Sequence, residues 1–456
     1  MNLCRTIVIT LLAVMLFGSC MREETAPPNI VLFLADDLSF RDLGCTGNNV
    51  VHTPNVDKLA SEGLQMTGMF TPTAMCAPAR SALYTGLFPH RNGCHMNWGA
   101  VKEGTLSLPH YLQPLGYRVA LVEKVHVNPR EAFPFDYMKA DSMENYLKSV
   151  GNQPFCMIYA SHEPHGPHRE GRITAEDVSS PVNWPDTWES RDLHARYLND
   201  VEAMDREFGE LVDMLERNSL LENTVVIFTS DHGHEFFAKW SCYDEGIHIP
   251  FIVKWDGVLG KGTRNPAFTS LVDLLPTFTE MAGGVAPENI DGKSFLQVLK
   301  ADKKEHRSYI YSAHTNRGII SGSAYPIRGV RSERYKYIEN LNSEAMFQNK
   351  NTHGWEWDTA AAEQIWKSWL HLAETDPSAT ARVKFYRKRP AEELYDLQND
   401  PFELNNLAAS EAYDSTRVRL RSELYGWMEQ QGDRGLEAEL EIPLWNDGLP
   451  GKRKSN

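Results

Sequence analysis

NIVLFLADD, residues 29–37, is an unbroken apolar run that stops on two aspartates. A run of this kind suits a strand buried on both faces of a parallel sheet. Three more segments share the shape. GYRVALVEKVH (116–126) stops on Lys124 and His126, PFCMIYASHEPH (154–165) on His162 and His165, and TVVIFTSDHGH (224–234) on Asp231, His232 and His234. A buried helix can imitate one such run, but hardly four. Open α/β sheets bind ligands beyond the carboxyl ends of their strands. An α/β fold with a polar site along one sheet edge is therefore predicted.

Leu193, Tyr197, Val201, Met204, Phe208, Leu211 and Leu215 recur at three- and four-residue steps, which predicts a long helix with one packed face. SLVDLLPTFTEMAGG (270–284) predicts a short helix closed by glycines, with Pro276 near an early turn. The texture changes near residue 325. IRGVRSERYKYIEN (327–340) predicts a hairpin, 341–390 is polar with scattered aromatics, and EELYDLQNDPFELNNLA (392–408) is turn-rich and leads into a helix around 412–430. The expected division is a large α/β domain over 29–324 and a smaller α+β subdomain over 325–456.

The amino terminus reads as a targeting segment. MNLCR carries a positive charge, and TIVITLLAVMLFG (6–18) is apolar but too short to span a bilayer. Gly18-Ser19-Cys20 resembles the end of a bacterial lipoprotein signal. That implies a signal over 1–19, lipidation of Cys20, a tether over 20–28, and an exported protein. Its place would be the periplasm or the outer membrane of a Gram-negative bacterium, touching the membrane only through the lipid. An ordinary signal peptide cut nearby is the alternative.

The formal charge of −15 argues against a broad nucleic-acid-binding face, though not against one small anion in a locally basic pocket. Of seven cysteines, Cys4 would leave with the signal. Cys45, Cys76, Cys94, Cys156 and Cys242 then remain beyond Cys20, an odd set that invites the question of which one is special.

Asp36 and Asp37 at one strand end, with Asp231 and His232 at another, make an oxygen-rich set that favours calcium or magnesium. Zinc also accepts such donors. Alone, an Asp pair at a strand end is more often a turn or a cap; the second pair makes the metal reading. In TAMCAPARSALYTG (73–86), Pro78 suits a helix start and places Cys76 at the helix N-terminus, where amides and dipole favour an anion. Arg80 lies four residues on, on the same face. By spacing alone, Cys76 suits an inert core thiol equally well.

Cys76, Pro78 and Arg80, followed by Thr85-Gly86, resemble the Cys-x-Pro-x-Arg signature of type I sulfatases in the alkaline-phosphatase-like superfamily. Ala79 stands where serine is usual. The resemblance implies a mixed, mostly parallel central sheet in an α/β/α sandwich, a smaller carboxyl-terminal antiparallel sheet, and conversion of Cys76 to formylglycine by a maturation enzyme. LFLADD and TSDHG resemble the metal segments, implying Asp36, Asp37, Asp231 and His232 as ligands, together with position 76. EKVHV resembles a Gly-Lys-x-His element, implying Lys124 and His126, with Glu123 replacing the glycine. SHEPHGP resembles the sulfate-contacting segment, implying His165, with His162 as rival. KWSCYDEGIHIPFIV implies Lys239, with His248 where arginine is usual. LYDLQNDPFELNNL resembles the tail of the family.

What this implies is hydrolysis of sulfate esters through the geminal diol of formylglycine. Arg80, Lys124 and the cation would neutralise the sulfonyl oxygens. His165 with Lys239 would protonate the leaving group, and His126 would act as the base that frees sulfate. Asn97, Trp98, His168 and Arg169 follow the site-forming segments and are expected near a sugar. The expected substrate is a sulfated glycosaminoglycan or mucin-type sugar. KVHVNPREAFPFDYM (124–138) also resembles sulfamidases, which keeps N-sulfoglucosamine open. The rivals are a phosphatase or phosphodiesterase on the same scaffold, against which Cys76 argues, and an exported glycan-binding protein without turnover, against which the intact set argues.

Overall fold

The computed structural model describes residues 27–316, 323–353 and 359–442. The expected signal and most of the expected tether, including Cys20, lie outside the described residues. The strands in chain order are β1 (Asn29–Ala35), β2 (Leu64–Met66), β3 (Met69–Phe70), β4 (Arg118–Glu123), β5 (Asp136–Met138), β6 (Phe155–Ala160) and β7 (Thr224–Ser230). They continue with β8 (Phe251–Lys254), β9 (Thr263–Asn265), β10 (Thr269–Ser270), β11 (Ile310–His314), β12 (Ile327–Arg331), β13 (Tyr335–Asn340) and β14 (Glu392–Asp396).

The main sheet runs β5-β4-β6-β1-β7-β8-β2-β9. β5 through β7 are mutually parallel; β8 alone runs against its neighbours, so the sheet is mixed and mostly parallel. The four apolar runs are β1, β4, β6 and β7, side by side at its centre. Every residue of β1, β6 and β7 is buried, which is why these segments lack alternation. Their register aligns the carboxyl ends: Ala35 pairs with Ser230, Leu34 with Ala160, and Glu123 with Ala160. The polar residues that follow each strand thus emerge on one edge.

Helices cover both faces. α1 (Pro54–Glu62) and α3 (Trp188–Arg217) pack on the side of Val31 and Phe33, where Phe33 stacks between Tyr159 and Phe228. α2 (Cys76–Thr85) and α4 (Leu274–Met281) pack on the side of Ile30 and Leu32. The long α3 starts where Thr187 accepts the Ser190 N–H, a side-chain cap, and it buries the predicted Leu193–Leu215 stripe. Pro276 falls in the first turn of α4, where it breaks no hydrogen bond.

The second sheet is antiparallel, in the order β11-β12-β13-β14. It reaches back across the expected division at 325 by recruiting β11. α5 (Thr359–Leu372), α6 (Pro377–Arg387) and α7 (Asp414–Gln431) complete this part. Leu420, Leu424 and Trp427 of α7 close over Val330, Tyr337 and Leu394. Trp366 and Trp369, scattered aromatics in the sequence, form a core with Trp184, Phe237 and Tyr386 that joins α5 and α6 to α3. Fully buried Lys336 pairs with Asp244 and Glu403 across the seam. Cys45, Cys76, Cys94, Cys156 and Cys242 are all unpaired. Among the described residues, no helix is long and apolar enough to cross a membrane.

Candidate active site

The site forms where β1, β4, β6 and β7 end against the start of α2. Asp37 has φ 72, a left-handed conformation that Asp tolerates better than most residues, and its N–H reaches Asp231 Oδ1 at 3.2 Å. Gly233 follows His232 in the tightest part of the site. A Cβ there would meet the Glu245 carbonyl oxygen at 1.9 Å, so only glycine fits. Cys76 is the first residue of α2, as expected, and Asn97 Oδ1 accepts the Ala77 N–H at 3.0 Å. Asn97 therefore caps the helix that presents Cys76, a role the sequence did not suggest.

One ligand atom each from Asp37, Cys76, Asp231 and His232 lies within 4.8 Å of the others, and all four residues are buried. His232 Nε2 is 3.1 Å from Asp37 Oδ1 and 3.3 Å from Cys76 Sγ. Its Nδ1 sits 2.8 Å from the Gly233 carbonyl. Nδ1–H donates there, which leaves Nε2 facing the cluster, the tautomer that a metal-binding imidazole needs. Asp36 forms a second grouping with Asp37 and His165. Two carboxylates, an imidazole and position 76, with the Asp36 carboxylate beside them, fit a hard divalent cation.

Cations of the protein face the same carboxylates. Fully buried Arg80 bridges Asp36 and Asp231, with 2.9 Å contacts from Nη2 and Nε, while its Nη1 is buried without a hydrogen-bond partner. Lys124 pairs with Asp36, and Lys239 Nζ lies 2.7 Å from Asp37 Oδ2. Burial works against each charge here, and at Asp36, His232 and Cys76 the opposite charges win. Lys124 and Arg80 hold Asp36 well below the usual carboxylate range. Asp231, Asp37 and Cys76 lift His232 to about 9, and Lys239, Lys124 and His232 pull the Cys76 thiol well down. At Asp231 burial wins, with the Asp36 charge adding to it, and the carboxyl is pushed up to about 6.

The histidines separate. His165 lies 4.0 Å from Asp37 by its Nε2, with Nδ1 fixed by the Gly166 carbonyl at 2.8 Å. His162 points away, exposed and 3.9 Å from Glu123. His126 has both ring nitrogens buried and unpartnered, and burial lowers its pKa. The exposed Trp98 ring lies 4.8 Å from the His126 ring. Glu123, in place of glycine, keeps φ 66. The turn survives because its carboxylate takes the Ala140 N–H at 2.7 Å and Lys139 at 2.8 Å. His168 and Arg169 are tied to Asp200, at 2.8 and 2.7 Å, and Arg169 also pairs with Glu163. They brace the loop after β6, His168 from inside and Arg169 from the surface, a role set by Asp200 on α3 that no local pattern signals. His248 is stacked between Phe40 and Phe70 at 4.0 and 4.7 Å, and Arg331 of β12 supplies a guanidinium over the Phe70 ring.

A nucleophile position at a helix start, a buried divalent-cation set and a ring of cationic side chains, all on the carboxyl edge of a mostly parallel sheet, define an ester hydrolase of the alkaline-phosphatase-like superfamily. The sulfatase family model matches residues 28–146 and 133–285, and the model of the carboxyl-terminal part of N-sulphoglucosamine sulphohydrolase matches 232–353. An ulvan-active sulfatase of Formosa agariphila is 34% identical over 435 residues, covering 91% of this chain and 83% of that protein. Human N-sulphoglucosamine sulphohydrolase is 26% identical, covering 92% and 93%. A solved structure holding D-glucosamine-2-N,6-O-disulfate superposes with a TM-score of 0.69 at 21% identity, covering 90% of this chain and 99% of that one. This chain belongs to the sulfatase family and is a sulfuric ester hydrolase.

Proposed function

We propose that this enzyme removes sulfate from O-sulfated units of a carbohydrate, releasing inorganic sulfate, with Cys76 as the residue matured to formylglycine. The observation that carries the reading is Arg80: a fully buried guanidinium four residues from Cys76, anchored on two carboxylates, with Nη1 left over. An ester sulfate oxygen is the kind of acceptor that would satisfy it.

Asp37, Asp231, His232 and position 76, with Asp36 beside them, would hold the cation, and we assign calcium, with magnesium as the alternative. Hydrated formylglycine at position 76 would supply the nucleophilic hydroxyl, and a cation held by these residues would supply positive charge beside it. Arg80 and Lys124 neutralise the sulfonyl oxygens. Lys239 and His165 face the same pocket through Asp37 and protonate the departing sugar oxygen. His126 stays neutral because it is buried, and so remains able to accept the proton whose loss frees sulfate. Trp98, half exposed against His126, offers a face on which a sugar ring can stack.

A second reading, hydrolysis of an N-sulfated glucosamine, is favoured by the match of residues 232–353 to the N-sulphoglucosamine sulphohydrolase carboxyl-terminal model. We also propose export, with lipidation at Cys20, and maturation by a formylglycine-generating enzyme. The deciding experiment is sulfate release by protein co-produced with such an enzyme. The panel holds monosaccharides sulfated at each O-position, N-sulfoglucosamine and a phosphate ester. The Cys76 peptide should be about 18 Da lighter than its thiol form. Release from an O-sulfated sugar supports the first reading and release from N-sulfoglucosamine the second; phosphate release exceeding both would overturn them.

A further inference from the structure

A cavity of about 210 Å³ lies at the seam between the two sheets. The turn after β1 (39–42), the loop 180–183 and residues 243–245 form one wall; α6 and residues 401–403 form the other. No residue assigned above to catalysis or to the cation lines it. Ser39 and His234 separate it from the active site: Ser39 Oγ accepts the His234 N–H at 2.9 Å and donates to the Glu245 carbonyl at 2.7 Å.

The inner acids each have a partner, a cation for three of them and a neutral hydroxyl for Asp42. Glu245 pairs with His234 at 2.9 Å and accepts from Asn183; Asp244 is held by Arg331 and Lys336, Glu403 by Lys336, and Asp42 accepts the Tyr197 hydroxyl at 2.7 Å. The uncompensated charge is at the mouth. The Arg41 guanidinium lies 4.6 Å over the Phe402 ring and that of Arg382 5.7 Å over Phe385, and neither has a carboxylate partner among the described residues. Phe402 and Val182 add exposed apolar surface beside them.

Guanidinium forks suit sulfate or carboxylate groups. Aromatic faces suit the C–H face of a sugar, and a hydrogen-bonding wall suits its hydroxyls. A volume of about 210 Å³ suits one ring rather than a chain. We propose that this cavity is an exosite that binds an anionic sugar unit of the glycan, away from the unit being desulfated. The proposal rests on the glycan-sulfatase reading for its ligand, but its test does not need turnover.

The full-length Cys76→Ala chain is titrated with heparin-derived and ulvan-derived hexasaccharides, with sodium sulfate, and with a hexaglutamate peptide. One hexasaccharide is expected to bind, and Arg41→Ala with Arg382→Ala to weaken it about tenfold. Sulfate and peptide are expected to show no such dependence. In the matured enzyme, the same double substitution raises KM for that hexasaccharide about tenfold, keeps kcat, and leaves turnover of a sulfated monosaccharide unchanged. Absence of hexasaccharide binding, equal affinity in the double variant, or the same dependence for sulfate or peptide each overturns the exosite. Binding that depends on the two arginines, in an enzyme that releases no sulfate from any substrate, supports the exosite and overturns the catalytic reading alone.

Discussion

His232, just past β7, and His314, the last residue of β11, are both buried imidazoles, and they are driven in opposite directions. His232 is lifted to about 9 by Asp231, Asp37 and Cys76 against its burial. His314 is pushed down to about 3, by burial first and then by Arg389 and Arg328. Burial is common to both, so the neighbours decide. At the edge of the main sheet the fold gathers charge of both signs and leaves Arg80 Nη1 unanswered. In the second sheet it keeps imidazoles neutral, and His248 at the seam follows the same rule, lowered to about 4. The first region is built to take an ion and an anion; the second is built to hold the first in place.

The sharpest way to break this contrast is to remove the nucleophile position. Cys76→Ala should cost about 10⁴-fold or more in turnover and leave the fold intact, because alanine suits a helix start packed by neighbours. Unchanged sulfate release would sink the mechanism. Next, Asp37→Asn should lower activity about 10³-fold and abolish calcium binding by calorimetry. Persistence of stoichiometric calcium in that variant would move the cation site elsewhere. His165→Ala should cost about 10²- to 10³-fold on a sugar sulfate. The cost should shrink with an aryl sulfate, whose leaving group needs no proton; equal losses on both would remove His165 from leaving-group protonation.

Acid stability tests the other half of the comparison. His314 is neutral in the native state, while the unfolded chain binds its proton below about 6.5. Its contribution is therefore fully present at neutral pH and falls as pH drops from about 6.5 toward 3, by about 1.4 kcal/mol per unit. Urea unfolding at pH 7 and 4.5 should show His314→Leu losing less stability than the parent, by about 3 kcal/mol. An identical pH slope would mean that His314 is charged in the fold. The smallest effect is expected at Glu123→Gly. Relief of the left-handed backbone, about 1 kcal/mol, is offset by loss of the Ala140 and Lys139 contacts. Stability should change by less than about 1 kcal/mol, with activity retained.

The edge that carries the candidate site was legible because β1, β4, β6 and β7 sit at the centre of the sheet and so read as unbroken apolar runs, each followed by polar residues that meet at one edge. The second sheet was harder to place, because its strands are short and its boundary strand β11 sits among residues with a catalytic-domain texture. Asn97, His168 and Arg169 were readable only as residues near the site. Their partners, the Ala77 amide and Asp200, come from separate elements that no local spacing links.

The sequence by itself named the candidates for the chemistry: the aspartates, Lys124 and the histidines at the ends of runs whose hydrophobicity forces them into the sheet, and Cys76, Arg80 and Lys239 through the motifs they resemble. Only the tertiary structure set His165 4.0 Å from Asp37 and left His162 exposed beside Glu123, joined Asp37, Asp231 and His232 with Cys76 and put Asp36 in a second grouping with Asp37 and His165, and opened a cavity at the seam. Those outcomes depend on strand register and on which side chains meet across long loops, and electrostatic shifts follow distance in space rather than along the chain.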